Sequence, residues 1–145
     1  WRGLGYHDAN AGERPLAASF RRWSWGRFHH GASTLVTYNT EPLVGPPRSV
    51  ALRLGPDERE TLPGFASRSL SNGRWGIPVV APHDHGAARP RLVHALEDSP
   101  FYGRHLVETT LCGERLRGIT ETLSVERFSA PWVRFLLPFR IRSSR

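Results

Sequence analysis

The run RHLVETTLC, residues 104–112, is followed a few residues later by LRGITETLSVERF, residues 116–128. Both runs are rich in β-branched and apolar residues, and Cys112, Gly113 and Glu114 fall at the turn between them. Side chains branched at Cβ fit a pleated strand better than a helix, so the pair reads as a β-hairpin. Within residues 119–125 the odd positions are Ile119, Glu121, Leu123 and Val125, and the even ones, Thr120, Thr122 and Ser124, are polar. This is the period of a strand with one buried face, and it predicts that Glu121 lies on the apolar, buried side. A carboxylate there must find a partner or carry a raised pKa. An Arg is the plain structural alternative to a functional acid, and the sequence offers many.

Outward from the hairpin, STLVTYN at residues 33–39 predicts another strand, broken by Pro42, Gly45, Pro46 and Pro47. Val50, Leu52 and Leu54 alternate with Ala51 and Arg53, again the pattern of a half-buried strand. Gly55, Pro56 and Asp57 end it in a turn. Residues 75–80 read as extended and residues 82–90 as a polar loop, while residues 62–73 fit no single element. Leu92, His94 and Leu96 share one face of a further strand. Phe20, Trp23, Trp25 and Phe28 form an aromatic cluster, and Pro131 at the start of residues 129–139 predicts a short helix. Strands separated by turns, with no alternating helices, predict an antiparallel all-β fold. Closing it into a barrel would hide its edges and leave room for an elongated apolar ligand.

The 145 residues suit one domain, and 39% hydrophobic content with five Trp argues against disorder. The net charge is +7, carried by 20 basic residues that are all Arg. They are scattered, with no basic stripe interleaved with stacking aromatics, so no nucleic-acid partner is expected. Attraction to anionic lipid headgroups is as easily defended. The lone Cys112 forms no internal disulfide. No signal peptide and no run of ~20 apolar residues is visible. The first residue is Trp1, which reads as a start inside a longer protein.

Chemistry-bearing residues concentrate in Gly3-Leu4-Gly5-Tyr6-His7-Asp8. If extended, this segment places Tyr6 and Asp8 on one side and His7 on the other. A phenol and a carboxylate on one face can handle protons; the structural alternative is a turn in which Asp8 caps backbone amides. His83-Asp84-His85 and His29-His30 look like metal material, but no third-ligand spacing accompanies them, and a solvated loop is the better reading. No metal is expected. There is no G-x-S-x-G elbow, no base near Cys112 in the chain and no glycine-rich phosphate loop.

Gly5-Tyr6-His7-Asp8, followed by Asn10 and Gly12, resembles the G-Y-H-D-H-N-x-G signature of carotenoid 1,2-hydratases (hydroxyneurosporene synthases). Trp23-Ser24-Trp25-Gly26-Arg27, Pro100-Phe101-Tyr102, residues 121–128 (ETLSVERF), Pro131-Trp132-Val133 and Leu137-Pro138-Phe139-Arg140 are similar to that family in the same order. The resemblance implies two lipocalin-like β-barrels, with residues 1–145 forming the C-terminal one and an upstream domain supplying a further His and Trp. It implies cofactor-free hydration of the terminal double bond of an acyclic, lycopene- or neurosporene-like carotenoid by an enzyme peripheral to the cytoplasmic side of a membrane. Asp8 would be the acid and Tyr6 its neighbour, with His7, Trp23, Trp25 and Glu121 binding the substrate or stabilising a cation. The chemistry agrees: an isolated alkene is a poor base and needs a protonated acid held against it, and an aromatic face can stabilise the tertiary cation. Two positions depart from the family. Ala9 stands where a His is usual, and Ala11 where an aromatic is common. A lipocalin-like carrier of apolar ligands, or a related isomerase or cyclase, is the alternative.

Overall fold

The computed structural model describes residues 11–137. A single 3-10 turn, Leu16–Ala18, leads into strands β1 (Phe20–His30), β2 (Ser33–Pro42), β3 (Arg48–Leu54), β4 (Arg59–Thr61), β5 (Ala66–Asn72), β6 (Pro78–His83), β7 (Arg91–Asp98), β8 (Tyr102–Leu111) and β9 (Glu114–Ser124). Two short helices follow, α1 (Val125–Phe128) and α2 (Pro131–Leu136). The expected antiparallel all-β class holds. Seven strands form one sheet in the order β4-β3-β2-β1-β9-β8-β7, and β5 and β6 form a separate hairpin. The sheet is open, with β4 and β7 at its edges, so the expected closed barrel is not formed by this ladder. Instead β6 lies across one face, against β8, β9 and β1.

Pairing registers run continuously across the sheet and define what each face carries. On the covered face one row reads Leu92, Val107, Gly118, Phe28 and Leu35. The next reads His105, Thr120, Gly26, Thr37 and Ala51. The third reads Asp98, Gly103, Thr122, Ser24, Asn39 and Ser49. The apolar row makes the core: Phe28, Leu35, Val107 and Leu111 pack with Val79 and Ala81 of β6, and Leu62, Phe65 and Leu70 close over them. Gly118 is required here, because a Cβ would collide with the Phe28 ring and the Arg27 carbonyl. Elsewhere the covered face is small or polar, which lets β6 approach closely enough for the Thr109 hydroxyl to donate to the Pro82 carbonyl at 2.6 Å.

Several expectations are corrected. Thr120, Thr122 and Ser124 are the buried positions of β9, whereas Ile119, Glu121 and Leu123 are only half-buried on the open face. In β3 Ala51 is buried and Val50 is exposed. Leu92, His94 and Leu96 do not share a face, because irregularities between Leu92 and His94 and between Ala95 and Glu97 break the alternation. The predicted strand over residues 116–128 stops at Ser124, whose hydroxyl caps α1 by accepting from Arg127 N at 3.4 Å. The aromatic cluster of residues 20–28 is strand β1, and residues 66–72 form β5. The expected helix is present as α2, with Pro131 in its first turn.

The hairpin turn is tighter than expected. Cys112 and Gly113 both have positive φ, 53° and 78°, the combination a two-residue turn requires for strands of this twist. Asp84 clamps it: its carboxylate accepts from Cys112 N at 2.9 Å and Gly113 N at 2.7 Å. The His83-Asp84-His85 loop therefore has a structural task. Beside the same turn, Glu108 accepts from Arg117 Nε at 3.0 Å and Arg115 Nε at 2.7 Å, with Arg91 at 3.5 Å. The Arg117 and Arg115 hydrogen bonds hold its carboxyl down at about 2.

Candidate functional site

Of the six residues singled out from sequence, Tyr6, His7 and Asp8 lie outside the described residues. The structure brings the other three together on the open face. Alternation along β1 turns Trp23 and Trp25 away from Phe28 and the core. Trp25 stands opposite Glu121 of β9 on one side and Tyr38 of β2 on the other, and Trp23 stands opposite Leu123 and Thr40. The Trp23 and Tyr38 rings stack with centroids 5.8 Å apart and planes 21° from parallel.

Glu121, half-buried on the open face, has the Arg partner that was the structural alternative. Arg104 Nε donates to its Oε1 at 2.8 Å and also to the Tyr102 hydroxyl at 3.1 Å. The Arg104 guanidinium lies 5.9 Å from the centroid of the Tyr102 ring. Partial burial, reinforced by the Glu121 charge, pushes the Tyr102 phenol well above its usual range, so it stays protonated. The open face therefore carries a stacked aromatic surface bordered by an ion pair and a neutral phenol. Such a surface suits contact with a flat, unsaturated chain.

The covered face holds a second group that the sequence did not flag. His105 is buried opposite Thr120, and Asp98 lies one row away. Burial lowers the His105 pKa, with the Asp98 charge opposing. The signal was present: His105 falls in phase with Val107 and Leu111, on the apolar period of β8. Tyr102 and Arg104 were equally legible as the phase opposite. A cleft of about 530 Å³ opens between Arg74, Trp75 and Asp98, and another of about 300 Å³ is lined by residues including Trp23, Ser24, Asn39 and Ser67. Among the described residues no three His, Cys, Asp or Glu side chains converge as metal ligands. None of the described helices is long and apolar enough to cross a membrane.

The segment ETLSVERF, residues 121–128, ties these parts together. Arg127 donates to the carbonyls of Trp75 and Pro100, and Phe128 packs on Phe101 with ring centroids 5.0 Å apart. The family described as "Carotenoid hydratase CrtC" matches residues 1–145, the whole of this sequence. The chain belongs to the carotenoid hydratase family. Among its relatives, an acyclic carotenoid 1,2-hydratase of Thiocapsa roseopersicina is 38% identical over 143 residues, covering 97% of this chain and 35% of that protein. Acyclic carotenoid 1,2-hydratases from Cereibacter sphaeroides and Rhodobacter capsulatus are 36% and 32% identical, each covering 97% of this chain and 50% of the relative. The chain thus spans between about a third and a half of the length of these carotenoid hydratases. No solved structure matches.

Proposed function

We propose that the protein of which this chain is the C-terminal, lipocalin-like part hydrates the C1–C2 double bond of an acyclic carotenoid, within carotenoid biosynthesis and without a cofactor. The observation that carries this reading is the family match over residues 1–145, which includes the segment bearing Tyr6 and Asp8. Asp8, protonated, gives its proton to C2 with Tyr6 beside it, leaving a tertiary cation at C1. Water forms the C–O bond, and its proton returns to the carboxylate. His7 contributes to the same segment. Trp23 and Trp25, with Tyr38, offer an aromatic bed for the polyene, and Glu121 fixes Arg104 and Tyr102 at its border. An upstream domain completes the site.

Contact with a bilayer, on its cytoplasmic side, fits the C-terminal helix. Trp132 and Phe135 of α2 are 48% and 69% exposed, next to Arg134. Apolar rings beside a cation suit the headgroup boundary of an anionic membrane, where a polyene substrate resides. The test is expression of the full-length protein in cells that accumulate an acyclic carotene. A 1-hydroxy carotenoid is expected from the wild type and none from Asp8→Asn. Full product from Asp8→Asn removes the acid from this residue, and polyene binding without any hydroxylated product makes the protein a carrier.

A further inference from the structure

We propose that Asp98, His105 and Thr120 form the site that holds and deprotonates the water added in the hydration, reached through the cleft beside Trp75. This rests on the hydratase reading. Five buried side-chain polar atoms have no hydrogen-bond partner among the described residues, and three of them, Asp98 Oδ1, His105 Nδ1 and Thr120 Oγ1, lie on neighbouring rows of the covered face. An unpaired buried polar atom costs on the order of 1–3 kcal/mol, and one is already uncommon. Their placement is built rather than incidental. His105 stands opposite Thr120, and its ring leans over Gly103, with Cε1 2.6 Å from where a Cβ would sit. Gly103 is in turn the register partner of Asp98. Gly73 leaves space for the Asp98 carboxylate, 2.7 Å from its own missing Cβ, and Arg74 N donates to Asp98 Oδ2 at 2.5 Å, which leaves Oδ1 as the unpaired oxygen. His105 and Thr120 are directly opposed in an antiparallel pair, which puts their Cβ atoms about 5 Å apart and their side chains next to each other.

Asp98 also borders the cleft of about 530 Å³ with Arg74 and Trp75, so its carboxylate is the part of the cluster open to a ligand entering there. Trp75 presents an exposed indole to a developing cation. The step balances. Once C2 has taken its proton, the water oxygen forms the bond to C1, and the released proton passes to the neutral His105 imidazole. The adjacent Asp98 stabilises the imidazolium, which then returns the proton through water to the acid that gave it.

The experiment uses full-length protein, with kcat and KM measured on an acyclic carotene in detergent micelles. His105→Asn keeps a hydrogen-bonding group but no base, and is expected to lower kcat by about 100-fold with KM changed by less than about threefold. Thr120→Val is isosteric and is expected to lower kcat about tenfold, the equivalent of one lost hydrogen bond, without lowering the thermal midpoint. It carries the test if His105→Asn fails to fold. A crystal structure should show one water between His105 Nδ1 and Thr120 Oγ1. Wild-type kcat in either folded variant, or no water at that position, overturns the inference while leaving the hydratase reading intact. A wild type that yields no 1-hydroxy product overturns the hydratase reading and this role with it.

Discussion

The two faces of the seven-stranded sheet have exchanged the composition that a simple soluble sheet would give them. The face covered by β6 is lined beyond its single apolar row by Ser24, Asn39, Thr37, Thr120, Thr122 and His105, while the open face carries Trp23, Trp25, Tyr38, Ile119 and Leu123. The reason is spatial. A strand laid across a sheet must come close, and small residues permit that; large rings on the other side have room to stack, as Trp23 does on Tyr38. The covered face therefore supplies cohesion from a few fully buried side chains, and the open face supplies a broad apolar surface that remains available to a ligand or to another part of the protein. The apolar core and the aromatic bed are separated by the thickness of one sheet.

Substitutions on each face test that separation. The largest effect is expected from Phe28→Ala, which empties the centre of the apolar row above Gly118 and should cost about 3–5 kcal/mol in denaturant unfolding. A cost near that of an exposed aromatic would mean that β6 does not seal the core. Trp25→Ala, on the open face, should cost roughly 1–2 kcal/mol, since its side chain is only half-buried, yet should weaken polyene binding in a fluorescence titration. An equal loss of stability from the two variants would erase the distinction between the faces. The smallest effect is expected in acid. The Glu108 carboxyl sits at about 2 in the fold, below its ordinary 4.5, so the native state binds that proton less tightly than the unfolded chain. Its stabilisation is full above about pH 4.5 and is lost as pH falls toward 2. Glu108→Gln should remove that part of the acid slope from thermal midpoints measured between these values, and an unchanged slope would show the three surrounding Arg residues to be uncoupled from folding.

What could be read in advance follows from the kind of information that alternation carries. Period two along residues 119–125 correctly announced a strand, and Cys112-Gly113 a turn. The same period does not state which side will be covered. That depends on β6, whose residues pair in sequence only with β5 and reach β8 and β9 across the interior. So Glu121 was placed on the right face relative to Ile119 and Leu123 and on the wrong side of the protein. Its Arg partner was foreseen as a type, but Arg104 could be named only once β8 and β9 had a register. Trp23 and Trp25 were legible as a pair because two residues apart on any strand means one face. His105 was missed because a single imidazole in an apolar period has no distinctive spacing. Its significance comes from Thr120 and Asp98, 15 and seven positions away in the chain. The proposed acid segment Tyr6-His7-Asp8 rests on the resemblance and lies outside the described residues.

The edges of the sheet bear on how such a protein survives in a cell at high concentration. An open sheet normally invites a second molecule to add its own strand. Here β4 offers only Arg59–Thr61, three exposed residues carrying two charges, and β7 is interrupted twice in its pairing with β8. Among the described residues neither rim of this sheet presents a long straight ladder of free amides and carbonyls, so neither rim offers a second molecule a ready template.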